Sequence, residues 1–260
     1  TKANYIMTQI IGFAGRKQSG KDTACNFIVA AKIAELGISK STRLTNTGEI
    51  EVTDILDDSI SGQEWMPFKA PYVNVDDLFS NELGKFIKRY SFAKKLKRMA
   101  VDVLGIKEEQ AFGTDEQKNT HTHIQWESMP GDSAKLQPPG PMTGREVLQY
   151  LGTDIFRSMY QNVWVDACLR QIQEDAPEVA LISDVRFENE IKAIQKQDGF
   201  VIGLSRNPYK ASDMHESETQ IGECLQLCDA VIENDNLSIP QQNEQIYLAI
   251  KDLNYMTEII

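Results

Sequence analysis

"GFAGRKQSGKDTACNF", residues 12–27, is the stretch on which the fold turns. Gly15, Gly20 and Lys21 stand in the spacing GxxxxGK; the short apolar run "YIMTQIIGFAG" precedes them, and Phe27, Ile28, Ala31 and Ile33 recur at helical spacing behind them until Gly37. Strand, loop and helix in that order predict a phosphate-binding loop. The glycines let successive N–H groups turn inward, the helix start adds its positive end, and the Lys21 ammonium reaches the β and γ phosphates. Ser19 belongs to the same loop, and Arg16 and Lys17 either add charge at its mouth or face solvent. The residue after the lysine is unusual: where a Ser or Thr hydroxyl normally holds magnesium, this chain has Asp22. A carboxylate is itself a hard oxygen ligand, so Asp22 takes Mg²⁺ directly or through water, or accepts from the hydroxyl of a second substrate, while Thr23 keeps a hydroxyl one position on.

Composition sets the frame around this loop. A chain of 260 residues, 41% hydrophobic and 25% charged, buries a full core and reads as one domain spanning 1–260 with insertions. Its net charge of −11 repels polyanions, which argues against nucleic acid as a partner and requires a local basic cluster for any bound phosphate. Cysteines 25, 168, 224 and 228 form no paired CxxC, and no run is apolar and long enough for a signal peptide or a membrane span. The expectation is a protein of a reducing cytoplasm with no membrane partner. Residues 1–6, ahead of Met7, read as an extension.

Beyond the loop, strands and helices alternate. Residues 39–80 are polar and read as a peripheral insertion, with "TRLTNTGEIEVTD" forming a hairpin around Thr47 and Gly48. "RYSFAKKLKRMAVDVLG" gives a short strand and a basic amphipathic helix, and 107–141 reads as irregular. Thr143 and Glu146 form a T-x-x-E capping box at the start of a helix through "REVLQYLG"; a further helix covers 162–174. "EVALISDVRF", "FVIGLSRNP" and "DAVIEN" are strands, "NEIKAIQKQDG" is a helix stopped by Gly199, and Ser238 with Gln241 repeats the capping signature before a C-terminal helix. Such alternation predicts an α/β, three-layer fold of the P-loop NTPase type: a central parallel sheet with helices on both faces.

"GRKQSGKDT" resembles the phosphate loop of the bacteriophage deoxynucleoside monophosphate kinases, which also place Asp-Thr after Gly-Lys. "FAKKLK", "REVLQYLGTDIFR" followed by "WV", "SDVRFENE", "RNP" with "HESE", and "DAVIEND" stand in the order that family shows, over most of residues 9–250. The resemblance implies transfer of the γ-phosphoryl group of ATP, with Mg²⁺, to the 5′-phosphate of a deoxynucleotide. It further implies ATP contacts along Gly15, Arg16, Lys17, Ser19, Gly20, Lys21, Asp22, Thr23 and Arg206, and a deoxynucleotide pocket drawing on Asp22, Arg145, Gln149, Gly152, Thr153, Trp164, Asp184, Arg186 and Glu190. A homodimer is an expectation from the resemblance alone. A dephospho-coenzyme A or phosphomevalonate type of kinase, or a nucleotide-binding module without catalysis, are the rival readings.

The individual residues carry their own arguments. Asp184 ends an apolar strand, which in an open parallel sheet puts its carboxylate at the carboxyl edge, where it holds a metal-bound water or a substrate hydroxyl, or caps a helix. Arg186 either clamps a phosphate or pairs with Glu188 or Glu190. Arg145 sits in the first turn of its helix against the dipole, a position that a bound anion explains better than stability does. Trp164 either stacks on a base or packs in the core. Arg206 opens "NPYKASDMHESET", placed where nucleoside monophosphate kinases carry a lid (about 207–222), with His215, Glu216 and Glu218 as lid contacts or exposed loop residues. His121 and His123 are spaced HxH without an evident third ligand, and Cys224 and Cys228 read as neighbouring buried thiols on a helix.

Overall fold

The computed structural model describes residues 8–55, 64–69, 75–81, 83–206 and 221–252. In chain order, β1 (Gln9–Gly15) leads through the glycine loop into α1 (Lys21–Glu35), and the hairpin of β2 (Ser39–Leu44) and β3 (Ile50–Ile55) follows, then β4 (Met66–Pro67), α2 (Val75–Asn81), α3 (Leu83–Phe86) and β5 (Ile87–Tyr90). Next come α4 (Ala93–Asp102), α5 (Glu108–Phe112), α6 (Asp115–Lys118), β6 (His121–Gln125), α7 (Asp132–Lys135), β7 (Pro141–Thr143), α8 (Gly144–Gln149) and α9 (Val163–Asp175). The last stretch holds β8 (Val179–Val185), α10 (Glu188–Gln195), β9 (Phe200–Ser205), α11 (Ile221–Leu225), β10 (Ala230–Glu233) and α12 (Ile239–Asp252). The chain groups into two compact units, Thr1–Tyr90 with Gln171–Ile260, and Ser91–Arg170.

The first unit is built on a five-stranded sheet in the order β10-β9-β1-β8-β5, every pair of it parallel. β1 lies at its centre and is buried along nearly its whole length, as a strand covered on both faces requires. Alternate residues serve the two faces: Ile11 and Phe13 join Ile28 and Ile33 of α1 and Ile246 and Ile250 of α12 in one apolar cluster, while Gly12 turns to the other side against Ile194 of α10. This is the layered architecture of a P-loop NTPase-type fold. Because the strands are parallel, the loops that leave β1, β8, β9 and β10 all emerge at one edge of the sheet, the edge where open α/β sheets bind ligands.

β2, β3 and β4 form a small antiparallel sheet in that order, with the turn of the hairpin at Thr47 and Gly48 as expected; residues 56–63 and 70–74 lie outside the described residues. β5 is fastened to the C-terminal turn of α9 by Asp175. Its carboxylate accepts from Lys88 Nζ and Tyr90 Oη, each at 2.8 Å, and from Gln171 Nε2 at 2.9 Å.

The second unit is more regular than the irregular stretch expected for 107–141. It carries its own apolar cluster, with Ala100, Ile106, Ala111, Ala134, Met142, Val147 and Tyr150 buried. Its short elements are fixed by local polar bonds. Thr114 and Gln117 cap α6 reciprocally, the buried Gln110 side chain donates to the His121 carbonyl at 2.9 Å, and β6 pairs antiparallel with β7. None of these elements has the length or periodicity that marks a helix or strand in sequence, which is why the stretch reads as loop.

Candidate active site

The glycine loop lies between β1 and α1 in the first unit. Its conformation requires its glycines: Gly15 has φ +152° and Gly20 φ +98°, and a Cβ at Gly20 would lie 2.3 Å from Gln242 Oε1. Lys21 is buried and folds back over the loop, its ammonium donating to the Gly15 carbonyl at 2.7 Å and to the carbonyl of Arg16. Two side chains that the sequence did not single out hold the loop from behind. Asn234, just past β10, donates to the Ser19 carbonyl at 2.8 Å and to Gln242 Oε1 at 2.6 Å, and Gln242 of α12 donates to the Gly20 carbonyl at 3.3 Å. Both amides are almost fully buried. A trans peptide directs its N–H opposite to its C=O, so tying the Ser19 and Gly20 carbonyls to this pair turns the Gly20 and Lys21 N–H groups outward. Those are the donors an anion at a helix N-terminus uses.

Asp22 has a partner that was not foreseen. Its carboxylate stands 2.5 Å from Arg89 Nη2 of β5, and Arg89 Nη1 donates to Asn26 Oδ1 at 2.8 Å. The Asp22 side chain nevertheless remains 81% exposed, so the pair leaves it accessible to a ligand. Beneath it, Cys25 is fully buried, and burial pushes its thiol up to about 12; Arg89 and Lys21 draw it down while Asp22 and Asp184 push it up further. These four charges therefore all act on one thiol in the first turn of α1. Asp184 lies in a bulge: between the pairs Gly12 with Ile182 and Ala14 with Val185, β8 carries one more residue than β1, and such a bulge redirects a side chain. Arg186 lies two residues further, in the connection to α10, where the buried Glu190 accepts from the Arg186 and Phe187 N–H groups at 2.8 and 3.1 Å. Glu190 thus holds the start of α10 and the backbone that carries Arg186.

A cleft of about 450 Å³ adjoins the loop within the first unit. Gly20, Thr23, Asn46, Thr47, Arg206, Asn234, Leu237, Ser238, Ile239, Pro240 and Gln242 line it. Arg206 leaves β9 at its rim, with Nη1 3.5 Å from the Gln18 carbonyl. The lid expected at about 207–222 falls mostly outside the described residues, with His215, Glu216 and Glu218 among those not described.

Arg145, Gln149, Gly152, Thr153 and Trp164 belong to the second unit. The capping box is present as read: Thr143 Oγ1 accepts from the Glu146 N–H, and Glu146 accepts from the Thr143 N–H at 2.7 Å. Arg145, however, is not an unexplained cation. Its Nη2 lies 2.8 Å from Asp115 Oδ1 and its Nε donates to Asn119 Oδ1 at 2.9 Å, so a carboxylate of α6 offsets the unfavourable dipole. "YLGTDIFR" is a π-helical stretch, Tyr150–Arg157, a rare form of backbone that recurs at functional sites. Trp164 pins it: its indole N–H donates to the Gly152 carbonyl at 3.1 Å and its ring packs on Phe156 at 5.2 Å. With only 7% of its surface exposed, Trp164 has the packed setting of a core residue, not the open face that stacking on a base requires. Gln149 is partly exposed and Thr153 exposed, on the same short stretch.

The family model for deoxynucleotide monophosphate kinase matches residues 81–244. The chain belongs to the deoxynucleotide monophosphate kinase family. A relative from Acanthamoeba polyphaga mimivirus, described as a putative deoxynucleotide monophosphate kinase, is 28% identical over 183 residues, which cover 66% of this chain and 86% of that protein. The matched span takes in Arg89, Asp184, Arg206 and the Asn234–Gln242 pair but begins after the glycine loop. Loop geometry and family membership therefore support the kinase reading independently. Among the described residues no helix is long and apolar enough to cross a membrane, and no group of three or more His, Cys, Asp or Glu is placed to hold a metal, His121 and His123 included. Cys228 lies past the end of α11, its Sγ 3.5 Å from the Cys224 carbonyl, and all four cysteines are free thiols.

Proposed function

We propose that this chain phosphorylates deoxynucleoside 5′-monophosphates, transferring the γ-phosphoryl group of ATP in line and without a phosphoenzyme. The observation that carries the reading is the loop in which Asn234 and Gln242 hold two carbonyls back, so that the Gly20 and Lys21 N–H groups and the Lys21 ammonium face the same anion. At present the ammonium rests on loop carbonyls, and a triphosphate takes their place as its acceptor. Arg206 adds a cation at the rim of the adjoining cleft, where the donor's charge accumulates.

The acceptor needs no general base, since a phosphate monoester is already an anionic nucleophile at neutral pH. What the protein supplies is orientation and charge compensation. Arg186, on backbone fixed by Glu190, and Arg145, oriented by Asp115 and Asn119, are the cations assigned to the acceptor phosphate; Gln149, Gly152 and Thr153 shape the pocket for its nucleoside. Asp22 and Asp184 offer the hard carboxylate oxygens that Mg²⁺ prefers, and both lie near enough to the buried Cys25 to raise its thiol. Too few donors are gathered there to hold the ion unaided, as suits a cation held largely by nucleotide phosphates and water. Bound there, Mg²⁺ would offset charge on the transferring phosphoryl group.

The test is a screen of deoxynucleoside monophosphates with ATP, run on the parent and on Lys21→Ala. The variant is expected to keep a cooperative unfolding transition and lose most phosphoryl transfer. Normal turnover by Lys21→Ala would refute the loop assignment.

A further inference from the structure

The hairpin at 39–55 is an insertion that the kinase reading leaves without a role. We infer that its turn forms one wall of the site for the nucleoside of the donor triphosphate, with the Asn46 side chain reading a polar edge of that nucleoside. The inference rests on the phosphate-loop reading and extends it to residues that the loop motif does not include.

Three observations carry it. First, the turn is seated on the helix that follows the phosphate loop. Gly48 accepts through its carbonyl from Asn26 Nδ2 of α1 at 2.8 Å, and Thr42 Oγ1 donates to the Ala30 carbonyl at 3.1 Å. Gly48 approaches Thr23 so closely that a Cβ there would lie 2.3 Å from Thr23 Oγ1, and its φ of +80° excludes most other residues as well. The turn is thus built to lie against the loop's first helical turn.

Second, the turn is rigid before any ligand arrives. Thr45 closes it through its carbonyl and N–H, which pair with the Gly48 N–H and the Glu49 carbonyl, each at 2.9 Å. Its hydroxyl further accepts from the Thr47 and Glu49 N–H groups at 3.2 and 3.1 Å. A wall that needs no ordering spares the binding step that entropy.

Third, the cleft of about 450 Å³ next to Gly20 and Thr23 is lined by Asn46 and Thr47, by Leu237, Ile239 and Pro240, and by Arg206. Its volume lies in the range of small-ligand sites, and its lining is mixed, with the polar groups of Asn46, Thr47, Ser238 and Arg206 beside the apolar Leu237, Ile239 and Pro240. A nucleoside joined to phosphates on the loop must leave them in some direction. This cleft begins at the loop, and its mix of a cation, apolar side chains and an amide matches a planar base with a polar edge. Asn46 is exposed, and its side-chain amide makes no hydrogen bond among the described residues. It presents both a donor and an acceptor to whatever enters.

Asn46→Ala is the direct test, since an exposed turn residue can lose its side chain without unfolding the chain. Calorimetric dissociation constants for ATP, GTP and tripolyphosphate would be measured on the parent and the variant. Expected is a loss of about 3- to 10-fold in ATP affinity, the scale of one or two neutral hydrogen bonds, a changed ratio of ATP to GTP affinity, and tripolyphosphate binding left as it was. Equal affinity for ATP in parent and variant, or a matching loss for tripolyphosphate, would overturn the assignment of the turn to the nucleoside. Failure of the parent to bind tripolyphosphate would instead refute the phosphate loop itself, and the inference with it.

Discussion

Asp22 is the residue at which this chain departs from the usual phosphate loop; the structure gives it one duty and the proposed function a second. As half of an ion pair with Arg89 it is 81% exposed, and an exposed pair contributes well under 1 kcal/mol to stability. On the proposed function it also serves, as an oxygen donor at the start of α1, the transferring phosphoryl group or its cation. The two duties separate on substitution. Asp22→Asn is expected to leave thermal unfolding within about 2 °C of the parent, because little pairing energy is at stake. The same change should lower kcat by about 10²-fold, or roughly 2.7 kcal/mol of transition-state stabilisation. Melting curves and steady-state kinetics on the same preparation decide it; a variant with parental kcat would reduce Asp22 to a surface partner of Arg89. Whichever way that falls, the motif disclosed Asp22 and hid Arg89. The two are 67 positions apart, and Arg89 sits in a four-residue strand with no local pattern of its own. The same holds for the amide pair behind the loop: Asn234 reaches the Ser19 carbonyl across 215 positions, a contact that only the parallel sheet creates.

At the scale of elements, what was legible was what is locally determined. The caps Thr143 with Glu146 and Ser238 with Gln241 formed as spaced, since a capping box closes within four residues. The buried strands of the first unit declared themselves as apolar runs bounded by glycine and polar residues. The short elements of 107–141 did not, because their support comes from side chains reaching sideways, such as Gln110 to the His121 carbonyl and Trp126 edge-on to Tyr150. Asp175 is another such support, and it makes the docking of β5 on α9 dependent on pH. Burial tends to raise its carboxyl, but hydrogen bonds from Lys88, Tyr90 and Gln171 outweigh that and hold it below the usual Asp value. A depressed carboxyl stabilises the fold at every pH above its unfolded value, and that contribution disappears as pH falls through the folded value. Asp175→Asn should therefore cost about 1–2 kcal/mol near neutrality and progressively less below about pH 4. Urea melts across that range check the sign: a difference between variant and parent that grows on acidification would exclude the assignment.

At the scale of the whole molecule, the two compact units divide the assigned chemistry. The glycine loop, the cleft, Asp184 and Arg206 belong to the first, while Arg145 and the π-helical "YLGTDIFR" belong to the second. If the second unit reads the acceptor, its substitutions should act on that substrate alone. Arg145 is the sharpest probe because Asp115 and Asn119 already account for its place in the helix, so a purely structural role is a real rival. The two roles predict different data. A cation that reads the acceptor phosphate makes a charge-assisted hydrogen bond, worth roughly 1.5–3 kcal/mol, so Arg145→Ala should raise KM for a deoxynucleoside monophosphate by about 10- to 150-fold and shift KM for ATP little. A cation that only steadies α8 against α6 should, when removed, lower the melting temperature and leave the two KM values in their parental ratio. Lysine supplies a charge but not the fork that engages Asp115 and Asn119 together, so Arg145→Lys should recover part of the acceptor KM while stability stays reduced. Titrating both substrates against all three proteins, with melting temperatures alongside, measures every term. If ATP and acceptor KM rise together, or neither moves, Arg145 is the pin of α8 and not a reader of the acceptor phosphate.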